Sequence, residues 1–171
     1  MTVNEELQEH TEHARNPFDK QVAASMAIIA AVLAVVSVFG HLTTTEELLW
    51  QQRASDQWSY YQAKSIRRYE SEIASDLFRS MKDPASTVYA SKSDGYRSDG
   101  EKIQEQAKKF EEESHLASAR ALRLHFGEVL LEVAIVFASL AILSKRRGIW
   151  VLSVMGGAAG AIIAGTAALI R

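Results

Sequence analysis

The sequence predicts an all-α membrane protein with three transmembrane helices and an extramembrane, coiled-coil-like antiparallel helical hairpin. Three apolar runs, at residues 22–42, 129–144 and 149–170, contain a single charged residue between them, Glu132. Residues 43–126, by contrast, hold 13 of the 19 lysines and arginines and 14 of the 21 aspartates and glutamates. Because a helix of about 20 apolar residues spans a ~30 Å hydrocarbon core, the apolar runs are predicted spans and the charged stretch is predicted to face water.

The order of segments follows from these runs. Asn16 and Pro17 are typical of a helix start, with asparagine as the N-cap and proline in the first helical position. The long acid-rich flank before them is unlike the short basic start of a cleaved signal peptide, so the first apolar run is predicted to remain as a span. The predicted segments are a polar N-terminal tail (1–15), a first transmembrane helix (16–42), the hairpin (43–126), a second transmembrane helix (127–144) and a third (149–170).

The first arm of the hairpin is predicted to be a helix from about Glu46 to Met81, a stretch without glycine or proline. Thr44 and Glu47 match a capping box, which predicts that a helix restarts there or continues after a kink. Steps of three and four residues predict the packing face, which comprises Trp50, Ala54, Trp58, Tyr61, Tyr69, Ile73 and Leu77. The opposite, polar face comprises Arg53, Asp56, Lys64, Arg67 and Arg68.

Residues 82–100 are rich in Pro, Gly, Ser and Asp, which predicts a loop between the arms. Ser98 and Glu101 match a second capping box at which the second arm is predicted to begin. Alternating steps of four and three then define a seam, and the same spacing continues into the second apolar run, so one helix of about 65 Å is predicted over 100–144. The seam comprises Ile103, Ala107, Phe110, Ser114, Ala117, Ala121, Leu124, Glu128, Leu131, Ile135, Ala138 and Ile142.

The charges in the short turns predict the orientation. Lys145, Arg146 and Arg147 lie between the second and third runs, and the positive-inside rule places that turn in the cytoplasm. The N-terminus is then cytoplasmic and the hairpin lies outside the membrane, which in a bacterium is the periplasm. Arg120 and Arg123, close to the second run, favour the opposite orientation less strongly.

The strongest candidate site is the stripe His125, Glu128 and Glu132 at the start of the second run. A carboxylate inside a membrane is costly and usually faces other helices or water. Two interpretations stay open: an ion or polar interhelical site, or acids that mark the level where the span meets the headgroups. A metal centre would need residues from several subunits, and His10 with His13 in the tail is more typical of a solvated segment, so no metal is predicted.

Small and aromatic residues predict packing and anchoring positions. Gly156, Gly160 and Gly165 belong to small-xxx-small pairs that allow close helix approach in the third run. Trp50 and Trp150 are predicted anchors at the membrane interfaces.

Two blocks, "ASDQWSYYQAKSIR" (54–67) and "LEVAIVFASLAILSKRRGIW" (131–150), followed by a glycine-rich last run, resemble an uncharacterised bacterial membrane-protein family, the domain of unknown function 4337. The resemblance covers the chain from about residue 18 to the end. It implies a small bacterial inner-membrane protein and implies no activity, substrate or cofactor.

The residues exclude several function classes. A net charge of −2 gives no reason to expect a nucleic-acid partner, and the absence of cysteine excludes disulfides and thiolate chemistry. No catalytic triad spacing or phosphate-binding loop is present, so a non-enzymatic protein without cofactors is predicted, with the lipid bilayer and other copies of itself as partners. We expect a homo-oligomeric scaffold of the envelope that presents the hairpin to other envelope components. The alternative is an oligomeric ion channel with Glu128 and Glu132 near the path.

Overall fold

The computed structural model describes residues 16–170, which form three α helices and one 3₁₀ turn. Helix α1 comprises Pro17–Ser80, α2 comprises Ala85–Ser144, α3 comprises Arg147–Gly165, and the 3₁₀ turn comprises Thr166–Leu169. Residues 16–170 contain no strand, so the predicted all-α class is confirmed. Each helix includes a stretch long and apolar enough to cross a membrane, with α3 counted together with its 3₁₀ turn. The predicted N-terminal tail, residues 1–15, lies outside the described residues.

The chain divides into two compact units. The first unit comprises Met1–Thr44 and Ser118–Arg171, and the second unit comprises Thr45–Ala117. The first unit therefore contains the three predicted spans, and the second contains most of the predicted hairpin.

The start of α1 confirms the predicted cap. The side chain of Asn16 accepts a 3.0 Å hydrogen bond from the backbone N–H of Phe18, and Pro17 is the first helical residue. Of the two alternatives predicted at Thr44, the restart is wrong, because one helix runs through this residue and the Thr44 hydroxyl donates to the carbonyl oxygen of Gly40 one turn earlier. A hydroxyl bonded back to the preceding turn leaves the helix uninterrupted there.

The predicted loop over residues 82–100 is also wrong. Just after α1, Lys82 is in the left-handed conformation (φ 55°), and the N–H of Asp83 donates to the carbonyl of Phe78. This is the Schellman motif, which commonly ends a helix. The Asp83 side chain then caps α2 by accepting a 2.8 Å bond from the N–H of Ala85. The connection is thus only a few residues long, and Ser98 lies within α2 instead of at its start.

The core of the first unit lies along stripes that repeat every seven residues. On α1 the buried residues are Val22, Ile29 and Val36, and on α2 Leu124, Leu131 and Ala138 are buried at the same interval. A seven-residue repeat keeps one side of a helix against its neighbour over many turns. Helix α3 contributes small residues to this packing, namely Ser153, Gly157, Gly160 and Ala164.

In the second unit the residues of α1 contact those of α2 in antiparallel order. Trp50 stacks on Phe110 at 5.7 Å, Lys64 bonds to Asp99 at 2.9 Å, and Ser75 donates to the carbonyl of Ser86 at 2.9 Å. Partner numbers therefore fall along α2 as residue numbers rise along α1. The residues buried in this contact are mostly small, and they include Ala54, Ser71, Ser75, Ser93, Gly100 and Ala107.

The predicted packing face of the first arm is wrong beyond Tyr61. Tyr69, Ile73 and Leu77 are all exposed, Ile73 by 70%. The side chains of Lys64 and Arg68, assigned to the polar face, are instead largely covered. Small residues at the contact bring the two segments close together, and long cationic side chains lie along that narrow contact with their charged ends directed to acids.

Candidate functional site

The predicted stripe of His125, Glu128 and Glu132 divides into two parts in the structure. His125 Nδ1 lies 3.2 Å from Glu128 Oε2, one turn along α2. The Glu128 side chain is only 18% exposed and that of His125 is 44% exposed. The Ser37 side chain of α1 also lies close to the Glu128 carboxylate. His125 and Glu128 thus belong to a polar contact between α1 and α2 inside the first unit.

Helix α1 supplies the other side of this contact. His125 Nε2 lies 3.1 Å from Thr44 Oγ1. A Cβ placed on Gly40 would lie 3.5 Å from the His125 ring and 3.8 Å from Glu128 Oε2. The His125 ring therefore packs close to the backbone of α1 at this glycine. We call this set, Ser37, Gly40, Thr44, His125 and Glu128, the polar clamp. The seam spacing predicted that Glu128 would face a partner helix, and within the chain that helix is α1.

Glu132 lies apart from the polar clamp. It is exposed on α2, and its carboxylate bonds to none of the residues from 16 to 170. Its neighbours on that surface, Val129, Val133 and Val136, are exposed and apolar. Counting along the helix at ~1.5 Å per residue, Glu132 is about 14 Å from Arg123 and about 20 Å from Lys145, and it lies five residues after the start of the predicted span at residue 127.

The predicted packing glycines differ in what surrounds them. A Cβ on Gly160 would lie 2.8 Å from the carbonyl oxygen of Gly127, whereas one on Gly156 would make an ordinary 3.7 Å contact with Ala134. A Cβ on Gly165 would meet nothing within 4 Å. Gly160 therefore packs within the chain, and Gly165 leaves an open surface. The partner of Gly160, Gly127, was not predicted, although it is the one glycine in the second predicted span.

The turn between α2 and α3 contacts the start of α1. The Lys145 ammonium donates to the carboxylate of Asp19, a buried residue of the first α1 turn. The Trp150 indole N–H donates to Ser25 Oγ at 3.0 Å, and its ring meets Phe18 edge-on at 6.3 Å. Trp150, a predicted interfacial anchor, thus packs on α1 at this end of the first unit.

Trp50, the other predicted anchor, lies in the second unit. Its ring stacks on Phe110 at 5.7 Å, and the Arg53 guanidinium lies over it at 4.7 Å from the ring centre. These contacts stabilise the half-buried Trp50 ring by aromatic stacking and by a cation–π interaction. Trp50 thus packs inside the second unit.

Two arginines of α2, Arg120 and Arg123, bond to residues at the end of α3. From the sequence they were used only to predict the orientation in the membrane. Arg120 Nε donates to the carbonyl of Ile170 at 3.0 Å, and Arg123 donates to Thr166 Oγ1 at 3.4 Å. The last carbonyls of a helix lack intrahelical partners and carry partial negative charge. Arg120 and Arg123 therefore stabilise the end of the third helix, a role that spacing along the sequence does not reveal.

These features define an all-helical protein with three segments apolar enough to cross a membrane and a polar contact between the first two. Among residues 16–170, no three acids or histidines cluster in a way that could hold a metal ion. The chain belongs to the family described as a domain of unknown function (DUF4337), whose model matches residues 18–170. The family resemblance read from the sequence is thereby confirmed. No curated protein and no solved structure matches the chain.

Proposed function

We propose that this protein is a non-enzymatic, three-span scaffold of the bacterial inner membrane that assembles from several copies of itself. The observation that carries the proposal is Glu132, an exposed carboxylate on the apolar outer surface of α2. Charged side chains within a span almost always face other helices or water instead of lipid. A single chain leaves Glu132 uncovered, so a neighbouring copy is the group that removes it from lipid.

The second unit supports the scaffold role through its surface. Ile66, Tyr69, Ile73 and Leu77 are exposed in succession along one side of α1. Residues three and four apart on a helix are neighbours, so these four side chains form one apolar surface of the kind that marks an interaction site on a water-facing domain. In the proposed arrangement the second unit is a periplasmic helical hairpin, and the turn carrying Lys145 to Arg147 is cytoplasmic.

The assembly is tested by the copy number of the full chain in lipid nanodiscs. We expect Glu132→Leu to shift native mass spectra towards the monomer, because the polar contact between copies is lost. Val35→Ala, at another exposed position in the first unit, is the matched control and should leave the copy number unchanged. A wild-type protein that is monomeric over a range of protein-to-lipid ratios contradicts the proposal.

Assembly through α3 is tested separately at Gly165. No atom of the described chain lies within 4 Å of a Cβ there, so Gly165→Leu does not disturb packing inside the chain. A lower copy number in this variant would assign α3 to the interface. An unchanged copy number would restrict the interface to α2 and the second unit.

A second candidate function is an oligomeric ion channel, and Glu132 is again the observation that favours it. Copies arranged around an axis would place their Glu132 carboxylates in a ring, and acidic rings select cations in channels. Glu128 is less suited to such a ring because it is largely covered and contacts His125 of its own chain. Cation flux into liposomes that falls in Glu132→Gln supports the channel, and the absence of wild-type flux removes it.

A further inference from the structure

A groove of about 300 Å³ runs between α1 and α3 on the outside of the first unit. Its lining extends from Ser25 to Val32 on α1 and from Val154 to Ala161 on α3. Each side covers seven residue steps, so the groove is about 10 Å long at ~1.5 Å per residue. Buried Leu131 of α2 forms its floor. The groove is therefore closed beneath and opens to the surroundings of the spans.

The lining of the groove is apolar. Ser25 is the one polar residue among the described residues that line it. Its hydroxyl donates to the carbonyl of Val22 at 2.8 Å and accepts from the Trp150 indole at 3.0 Å, so its hydrogen-bonding groups are already used. An apolar cavity of about 150 Å³ stays dry and takes up a hydrocarbon. The larger groove between α1 and α3 therefore favours a hydrocarbon occupant over water or a polar ligand.

The dimensions of the groove favour a single extended chain over a helix. A volume of about 300 Å³ spread over a length of about 10 Å gives a cross-section of roughly 30 Å². A helix of ~10 Å diameter, side chains included, has a cross-section of roughly 80 Å². An acyl chain of a lipid is thin enough to lie in the groove, whereas a helix of another copy is too wide to enter it.

One end of the groove lies next to the cationic turn between α2 and α3. Trp150 bonds to Ser25 at that end, and Arg147 is one helical turn before Trp150. Arg147 is also seven residues before Val154, which places it on the same side of α3 as the groove. Arg146 and Arg147 are exposed, and their side chains bond to none of residues 16–170. An anionic group at this end would be complementary to both arginines.

We propose that the groove binds an anionic phospholipid, with one acyl chain between α1 and α3 and the phosphate at Arg146 and Arg147. The proposal rests on the membrane location proposed above but not on assembly. Tryptophan is enriched at the level of the headgroups, and basic sites between spans bind anionic headgroups. Lys145 is already paired with Asp19, so the two arginines supply the charge. A zwitterionic lipid brings its own cation to the arginines and binds less tightly.

The acyl-chain site is tested by native mass spectrometry of the full chain released from nanodiscs that contain equal amounts of phosphatidylglycerol and phosphatidylcholine. We expect each wild-type copy to retain phosphatidylglycerol in preference to phosphatidylcholine. Ala158→Phe fills the groove from its α3 side and should lose the bound lipid. Ala159→Phe is the matched control, because Ala159 is also exposed but does not line the groove. Equal lipid retention in the two variants overturns the proposal.

The headgroup site is tested by charge. Arg147→Gln should remove the preference for phosphatidylglycerol, so that both lipids are retained equally. Lys20→Gln is the control, because Lys20 is exposed near the start of α1 and lies nine residues before Ile29, on the opposite side of that helix. The same loss of preference in both variants would indicate a general attraction of anionic lipids to cations and would overturn the site.

The lipid site and the proposed assembly can fail separately. Lipids are counted on each copy, so a monomeric wild type would contradict the assembly and leave the lipid measurement intact. A lower copy number in Ala158→Phe with unchanged bound lipid would assign the groove to a second copy of the chain, and it would overturn the lipid site.

Discussion

Gly127 of α2 and Gly160 of α3 meet backbone to backbone in the first unit. A Cβ on Gly127 would lie 2.7 Å from the carbonyl oxygen of Gly160, and one on Gly160 would lie 2.8 Å from the carbonyl oxygen of Gly127. The relationship is reciprocal, and neither obstacle is a flexible side chain. Only glycine at both positions allows α2 and α3 to cross this closely.

We predict that Gly127→Ala and Gly160→Ala each destabilise the protein by about 1–3 kcal/mol, the usual cost of overpacking a close contact. The gain of about 1 kcal/mol in helix propensity on replacing glycine by alanine offsets part of that cost. The measurement is reversible unfolding in mixed detergent micelles. Gly156→Ala is the control, because its Cβ would make only a normal contact. Equal stability of Gly160→Ala and Gly156→Ala would contradict the close crossing.

The sequence predicted Gly160 as a packing residue because small residues recur every fourth position in α3. It could not predict that Gly127 is the partner, since a single glycine between His125 and Glu128 forms no repeat. The crossing depends on which sides of α2 and α3 face each other, and that is decided by the packing of the whole first unit. The apolar runs, by contrast, predicted membrane-length helices directly, because the first and third runs each have the length of a span and the second has it once the residues just before Val129 are included.

In the second unit the periodic pattern was present but its interpretation was wrong. Ile73 and Leu77 follow helical spacing, and an apolar face usually indicates the contact inside a chain. Beyond Tyr61 the contact between the segments uses mainly serine, alanine and paired charges, together with the stack of Phe78 on Tyr89. Tyr69, Ile73 and Leu77 face outward. The loop prediction failed for a local reason, because Asp83 and Pro84 start a helix as effectively as they break one.

The outward position of Ile73 leads to a direct test. We predict that Ile73→Ser changes the free energy of unfolding of the protein by less than about 0.5 kcal/mol, as for other exposed positions. Phe78→Ala should cost about 1–2 kcal/mol, because Phe78 stacks on Tyr89 at 5.4 Å across the contact. Chemical denaturation of the monomer in detergent measures both. A larger loss of unfolding free energy in Ile73→Ser than in Phe78→Ala would contradict the structure and support the packing face predicted from the sequence.

The ion pair of Lys64 and Asp99 predicts a pH dependence in the second unit. The hydrogen bond from Lys64 lowers the pKa of Asp99, and the same bond raises the pKa of Lys64. Asp99 therefore stabilises the folded state above the pKa of an unfolded aspartate, and that contribution is lost as pH falls through the lowered pKa. The Lys64 contribution is present at neutral pH and is lost as pH rises through its raised pKa.

We accordingly predict that Asp99→Asn unfolds more readily than wild type at pH 7, and that the difference shrinks as pH falls below the pKa of an unfolded aspartate. It should also shrink in about 1 M salt, where exposed charges are screened within ~3 Å. Asp94→Asn, at another exposed acid of α2, is the control for the loss of a negative charge. A difference between Asp99→Asn and wild type that does not change on acidification would show that the carboxylate acts other than through its charge.

Ser153 provides the final prediction, because it is fully buried and its hydroxyl donates a 2.7 Å bond to the carbonyl of Ala134 across the contact between α3 and α2. Ser153→Ala removes this bond and should cost about 0.5–1.5 kcal/mol. Ser139→Ala is the matched control, since Ser139 is exposed and bonds only to Val136 of its own helix. Unfolding in micelles compares the two. Ser153→Val should cost more than Ser153→Ala, because the residue is fully buried and the larger side chain must fit into the contact with α2. If Ser139→Ala proves the more damaging of the two alanine variants, the buried bond does not join the helices as described.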